Sequence, residues 1–234
     1  SRPGRPDGQS RIDLVATLRQ AAPWQVLRKR HDQHDRALIV HRADLRLKRY
    51  RQVSDRVLIF VVDASGSSAM ARLGEAKGAV ELMLAQAYSR RDHVALVVLR
   101  GSKAELILPP TRSLTTTKAR LRSLPGGGGT PLASGLGLAL DTALRARRQG
   151  MTPSLALLTD GRANIALNGQ PDRVQAQQDA YQLAQAIRAA GIAAVTLDVA
   201  NRPQPALAEL AQVMRSHYVP LPRADARAIA ATLA

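Results

Sequence analysis

A chain of 234 residues that is 45% hydrophobic can bury the core of one large domain, or of one domain with an appendage. Aromatic residues make up only 3%, so Ala, Leu and Val must fill the interior, which favours helices packed on a parallel sheet over an aromatic-rich β-sandwich; with no cysteine, disulfides, thiolate zinc sites and cysteine nucleophiles are excluded. The net charge is +16, and residues 1–56, with 14 Lys or Arg against 6 Asp or Glu, carry half of it.

Ser1 to Ser10 is rich in Pro, Gly and Arg and reads as the end of a linker. Asp13 to Arg30 has apolar residues at Leu14, Val15, Leu18, Ala21 and Ala22, a helical spacing that Pro23 breaks into two pieces. Trp24, the single Trp, is expected to plug a groove where this helix meets the sheet. Ala37 to Val40 and Leu45 to Lys48, around Arg42-Ala43-Asp44, read as a short hairpin. Residues 11–52 are thus an extension to a core domain that occupies residues 53–234.

Val57 to Val62 is six apolar residues in a row with no polar face, as in a strand buried on both sides of a parallel sheet. Arg72 to Arg90 is a long helix; His93 to Leu99 and Ala104 to Leu108 are two strands forming an edge hairpin around Arg100-Gly101-Ser102-Lys103. Thr115 to Leu124 is a short basic helix with Thr115 as its cap, and Leu132 to Arg148 is a longer one. A second buried strand, Ser154 to Thr159, precedes a helix over Asp172 to Ala190, closed by Gly191. Ala193 to Val199 is the next strand, followed by helix Ala206 to Met214, strand Tyr218 to Leu221 and helix Ala224 to Leu233. The alternation predicts an α/β class: a doubly wound, mostly parallel sheet with one antiparallel edge strand and helices on both faces.

The chemistry gathers where strands stop. Asp63-Ala64-Ser65-Gly66-Ser67 sets a carboxylate and two hydroxyls on alternate positions of a turn at the end of the first buried strand. By itself this D-x-S-x-S string also suits a Ser-rich turn that caps a helix. Leu124 to Leu132 is a glycine loop that delivers the hydroxyl of Thr130 to a helix start, and Thr159-Asp160-Gly161 closes the second buried strand. In a doubly wound sheet the carboxyl ends of neighbouring strands meet in one crevice, so Asp63, Ser65, Ser67, Thr130 and Asp160 can share a site. Hard oxygen donors of this kind suit a small divalent cation such as Mg2+.

The order D-x-S-x-S, Gly-Gly-Thr-Pro-Leu, then an apolar strand ending Thr-Asp-Gly resembles the metal-ion-dependent adhesion site of the von Willebrand factor A, or integrin I, fold. Arg11 to Gln25, Phe60 to Ser67, Gly128 to Leu136 and Leu158 to Asn164 are similar, more narrowly, to the carboxyl-terminal I domains of magnesium chelatase D subunits. The adhesion-site residues specify fold and metal, and the Arg11 to Gln25 segment points to the chelatase. Ser68 departs from the Met that many relatives carry there, outside the D-x-S-x-S pattern. The resemblance implies that Ser65 and Ser67 ligate Mg2+ directly, that Thr130 joins when a partner is bound, and that Asp63 and Asp160 act directly or through water, leaving a position for a partner's Asp or Glu. It also implies an ATP-dependent complex that inserts Mg2+ into protoporphyrin IX in chlorophyll or bacteriochlorophyll synthesis. This domain would couple the ATPase ring of the I subunit to the porphyrin-binding H subunit, within a ring oligomer. ATP enters only through that complex.

Catalysis by this chain alone is not expected. Gly-x-Ser-x-Gly is absent, His93 begins a different strand, and His31, His34, His41 and His217 sit in basic or terminal segments. The glycines at 126–129 lack the lysine of a phosphate loop. A basic nucleic-acid-binding scaffold is the alternative from another class, although no recognition-helix pattern or stacking aromatics accompany the charge. Within the same fold, an adaptor of another ATPase-linked complex, such as a cobalt chelatase, stays open. No stretch approaches the roughly 20 apolar residues of a membrane span. The amino end lacks the apolar core of a secretory signal and does not begin with Met, as expected of a piece of a longer protein in the cytoplasm or, in a phototrophic eukaryote, the plastid stroma.

Overall fold

The computed structural model describes residues 2–3, 11–32, 34, 36–48, 54–65, 77–124, 127–200 and 202–220. The chain divides into two units, Ser1–Val53 and Ser54–Ala234.

In the first unit, strand β1 (Arg2–Pro3) is followed by helix α1 (Leu14–Ala21), a 3-10 turn (Ala22–Trp24), helix α2 (Gln25–Arg30), a second 3-10 turn (Arg42–Asp44) and strand β2 (Arg46–Leu47). Asp13 caps α1 by accepting from the Ala16 N–H at 3.1 Å. Pro23 lies in the first 3-10 turn, so the helix divides there as its spacing predicts. Gln25 then fixes the return of the chain: its amide nitrogen donates to the carbonyls of Ala21 and Ile39, and its amide oxygen accepts from the Ile39 N–H, all at 2.9 Å. Arg28 grips Asp44 with two hydrogen bonds of 2.5 and 3.0 Å, and Asp44 also accepts from the His41 N–H.

Three expectations fail in this unit. Ala37 to Val40 is not a strand: Asp44, folded back onto His41, winds Arg42–Asp44 into a 3-10 turn where the hairpin needed a two-strand reversal. The partner of β2 is instead β1, antiparallel, with Arg2 opposite Leu47, and Ile12 bridges to Leu47 as well. Arg2 and Pro3 are therefore strand residues rather than linker; the other residues of that segment lie outside the described set. Trp24 is 49% exposed rather than buried as a plug would be, and the interior of this small unit is taken by Thr17, Ala21, Ile39, Asp44 and Leu47.

The second unit contains β3 (Arg56–Asp63), α3 (Lys77–Ser89), β4 (His93–Arg100), β5 (Lys103–Thr111), α4 (Leu114–Arg122), α5 (Leu132–Arg148), β6 (Thr152–Thr159), α6 (Arg173–Ala189), β7 (Ala193–Asp198), α7 (Pro205–Met214) and β8 (His217–Pro220). The strands form one six-stranded sheet in the order β5-β4-β3-β6-β7-β8, parallel throughout except for the β4–β5 pair. Pro109 and Pro110 lie in β5, at the edge, where a missing N–H is tolerated. Ser113, not Thr115, caps α4, accepting from the Thr116 N–H at 3.2 Å. The expected helix Ala224 to Leu233, and the start of the one expected from Arg72, fall outside the described residues.

Alternation along β3 explains why its run has no polar face. Val57, Ile59 and Val61 point to one side, into a core closed by Leu132, Leu136 and Ala139 of α5, Ala180 and Ile187 of α6 and Leu207 of α7. Leu58, Phe60 and Val62 point to the other, against Val80, Met83 and Leu84 of α3 and Leu121 of α4. Each large aliphatic side chain so buried contributes about 1.5–3 kcal/mol. The chain leaves β3 first for β4 on one side and later for β6 on the other. The topological switch point thus falls between β3 and β6, and a doubly wound sheet opens its crevice there.

Candidate metal centre

Asp63 is the last residue of β3, and Asp160 directly follows β6, its parallel neighbour. Both carboxylates therefore reach the crevice at the switch point, where they are 8% and 6% exposed. Asp63 Oδ1 accepts from the Ser65 N–H at 2.9 Å, and Oδ2 from the Thr159 hydroxyl at 2.8 Å. Asp160 Oδ1 accepts from the Arg162 N–H at 3.1 Å.

The glycine loop joins this pair through backbone. Gly127 N–H donates to the Ala64 carbonyl at 2.9 Å, tying the loop to the turn after Asp63. Gly128 has φ +88°, and a Cβ there would stand 2.9 Å from the Gly101 nitrogen, so this position admits no side chain. The loop delivers Thr130, whose Oγ1 lies 2.5 Å from Ser65 Oγ, with both residues buried. Asn164 holds Thr130 in turn: its Oδ1 accepts from the Thr130 N–H at 2.7 Å.

Four of the five residues singled out in the sequence, Asp63, Ser65, Thr130 and Asp160, thus lie around the carboxyl ends of β3 and β6. Ser67 lies outside the described residues. Thr159 and Asn164 were missed, although both stand in the Leu158 to Asn164 stretch; the signal was a hydroxyl and an amide flanking the Asp-Gly, each able to orient a neighbour. Among the described residues no group of three or more His, Asp or Glu is placed to hold a metal, and His93 begins β4.

Burial is the main force on Asp63 and pushes its carboxyl above the usual carboxylate range. Hydrogen bonds from Ser65 and Thr159 pull the other way, and the neighbouring charge of Asp160 adds to the rise. Two buried acidic groups near one another, with neutral hydroxyls beside them, make an all-oxygen donor set that suits a hard divalent cation, whose charge would offset their repulsion. A cation held there would act as a Lewis acid toward an incoming carboxylate.

A model of the von Willebrand factor type A domain matches residues 58–162, and one of the AAPxQ domain matches residues 2–50, where Ala21-Ala22-Pro23-Trp24-Gln25 carries the clamp on Ile39. The chain is 63% identical over 233 residues to the magnesium-chelatase 60 kDa subunit of Cereibacter sphaeroides and 57% identical over 235 residues to that of Rhodobacter capsulatus. Each alignment takes in 100% of this chain and 42% of the relative, so the chain spans about two fifths of their length. Among solved structures, the vWF domain of the type V pili tip protein Mfa5 from Porphyromonas gingivalis superposes with a TM-score of 0.59 at 14% identity, covering 77% of this chain and 96% of that one. That likeness concerns the fold.

Proposed function

We propose that the chain is a von Willebrand factor type A domain of the magnesium-chelatase 60 kDa subunit branch and serves as the metal-dependent protein-interaction domain of a magnesium chelatase. The observation that carries the reading is the meeting of Asp63, Ser65, Thr130 and Asp160 at the sheet's switch point, in a chain 63% identical throughout to a chelatase subunit. Mg2+ held by these residues, with Ser67 as a further ligand, supplies a Lewis acid that takes an Asp or Glu of a partner. Asp63 and Asp160 supply the negative charge, Ser65 and Thr130 the neutral donors, and Thr159 and Asn164 keep Asp63 and Thr130 in position.

In this reading the ion is a bridge between proteins and distinct from the Mg2+ that the whole enzyme inserts into protoporphyrin IX. The partners are the ATPase I subunit and the porphyrin-binding H subunit, and the domain couples ATP turnover in the ring to the porphyrin site without binding ATP itself. Among the described residues no helix is long and apolar enough to cross a membrane.

The test is association of this chain with the chelatase I subunit in Mg2+ and in EDTA, for the wild type and Asp63→Ala. Binding that needs both the ion and Asp63 is expected. Binding indifferent to both overturns the metal bridge and assigns the contact to the basic surface. Thermal unfolding gives a partner-free control: an ion at a hundred times its Kd stabilises by about 2.7 kcal/mol, and Asp63→Ala removes that increment.

A further inference from the structure

We infer that Arg162 and Arg173 form a subsite beside the metal centre that reads a second carboxylate on the same partner peptide, so that the domain selects an acidic pair over a lone Asp or Glu. The inference rests on the metal-bridge reading and specifies which partner sequences it admits.

A cleft of about 480 Å3 opens next to Asp160, lined by Gly161, Arg162, Asn164, Arg173 and Gln177 together with two alanines, and no acidic side chain lines it. It is continuous with the metal centre, because Gly161 follows Asp160 and Asn164 is the residue that holds Thr130. The Arg162 guanidinium stands at the boundary, ion-paired with Asp160 at 3.8 Å between Nε and Oδ2, and its side chain is 72% exposed, which leaves room for a second carboxylate. Arg173 is exposed at the first position of α6, where a cation opposes the helix dipole, so helix stability does not account for it. The carboxylates nearby in sequence are already engaged. Asp172 caps α6 through the Gln175 N–H at 3.0 Å, and Glu209 accepts from the Tyr181 hydroxyl at 2.9 Å.

The walls are set in advance. Asp179, 6% exposed, accepts from the Leu167 N–H and from Gln175 Nε2, both at 2.8 Å, and Ile165 bridges to Pro171, so the segment between β6 and α6 is pinned along its length. Gly161 makes the turn into the cleft at φ +78°, with a would-be Cβ 2.8 Å from Leu207 Cβ. Two guanidiniums on such a frame match carboxylate geometry through forked hydrogen bonds. Side chains two residues apart on an extended peptide share a face about 7 Å apart. One then meets the metal while the other meets the arginines.

The experiment measures binding of the 234-residue chain, by calorimetry or amide chemical shifts, to the capped pentapeptide Ala-Glu-Ala-Glu-Ala and to its two single Glu-to-Gln forms, in Mg2+ and in EDTA. In Mg2+ the two-carboxylate peptide is expected to bind about five-fold tighter than either one-carboxylate form, the scale of an exposed but forked ion pair. In Arg162→Gln/Arg173→Gln, with the fold checked by circular dichroism, that advantage falls below about two-fold while one-carboxylate binding is unchanged. An advantage that persists in the double variant overturns the subsite and leaves the metal bridge standing. An advantage that needs the arginines but survives EDTA supports the subsite and overturns the metal bridge. Absence of binding by all three peptides overturns both.

Discussion

Asn164 grips Thr130 from both sides of one residue: its side-chain oxygen accepts from the Thr130 N–H at 2.7 Å, and its own N–H donates to the Thr130 carbonyl at 3.3 Å. The hydroxyl proposed to join the metal last is thereby positioned by the loop after β6, which also carries Asp160. Asn164→Ala leaves the Thr130 N–H without its acceptor and should cost on the order of 1–3 kcal/mol in urea unfolding. It should also weaken Mg2+-dependent association, whereas Asn164→Asp, which keeps the acceptor, should restore most of the stability. Equal stability of the alanine variant and the wild type would remove this role.

Thr159 links the two strands at the same place, donating to Asp63 Oδ2 and accepting from the Gly161 N–H at 3.1 Å. Thr159→Val keeps the shape and deletes both bonds, for an expected loss of about 1–3 kcal/mol. Because the Thr159 hydroxyl lowers the Asp63 pKa, the variant should also shift the Asp63 side-chain carboxyl titration to higher pH in the metal-free chain. NMR of the labelled carboxyl carbons reads this directly, and an unmoved titration would contradict the assignment.

The Arg28 guanidinium, hydrogen-bonded to the buried Asp44, holds that carboxyl below the usual carboxylate range, helped by the His41 N–H. The folded pKa lies under the unfolded one, so the stability this contributes is complete above about pH 4 and is lost as pH falls through the lowered folded value. Asp44→Asn should therefore destabilise the first unit at neutral pH and flatten its acid transition, followed by the signals of Gln25 and Ile39 between pH 2 and 7. An acid transition identical in the variant would show that Asp44 does not drive it.

Gly135 of α5 lies so close to β4 that a Cβ would stand 2.0 Å from Leu99 Cδ2 and 3.4 Å from Val61 Cγ1. Gly135→Ala should cost about 1–3 kcal/mol by overpacking, despite the better helix propensity of alanine. Leu99→Val in the same chain should return part of the loss, and a double-mutant cycle measures the coupling. Simple additivity of the two changes would show that the clash is relieved elsewhere.

Local patterns reached far into this molecule. The apolar runs before Asp63 and Asp160, six and four residues long, announced strands buried on both faces, because they lack a polar face and are too short for a buried helix. Helical spacing placed α5, α6 and α7 to within a residue or two. Asp63, Ser65, Thr130 and Asp160 were legible as residues at the ends of strands and loops, and that is written in residue order. What residue order leaves open is which ends meet. The alternation of Leu45 to Lys48 suits any strand partner, and tertiary contact chose Arg2 and Pro3 over Ala37 to Val40 once Asp44 had wound the intervening turn. Trp24 illustrates the same limit, for its size promised burial that the small first unit does not provide. Thr159, Asn164 and the two arginines of the cleft gain their roles only when the sheet order puts β6 beside β3. A side chain's chemistry is local, but its partner is set by packing across residues distant in sequence.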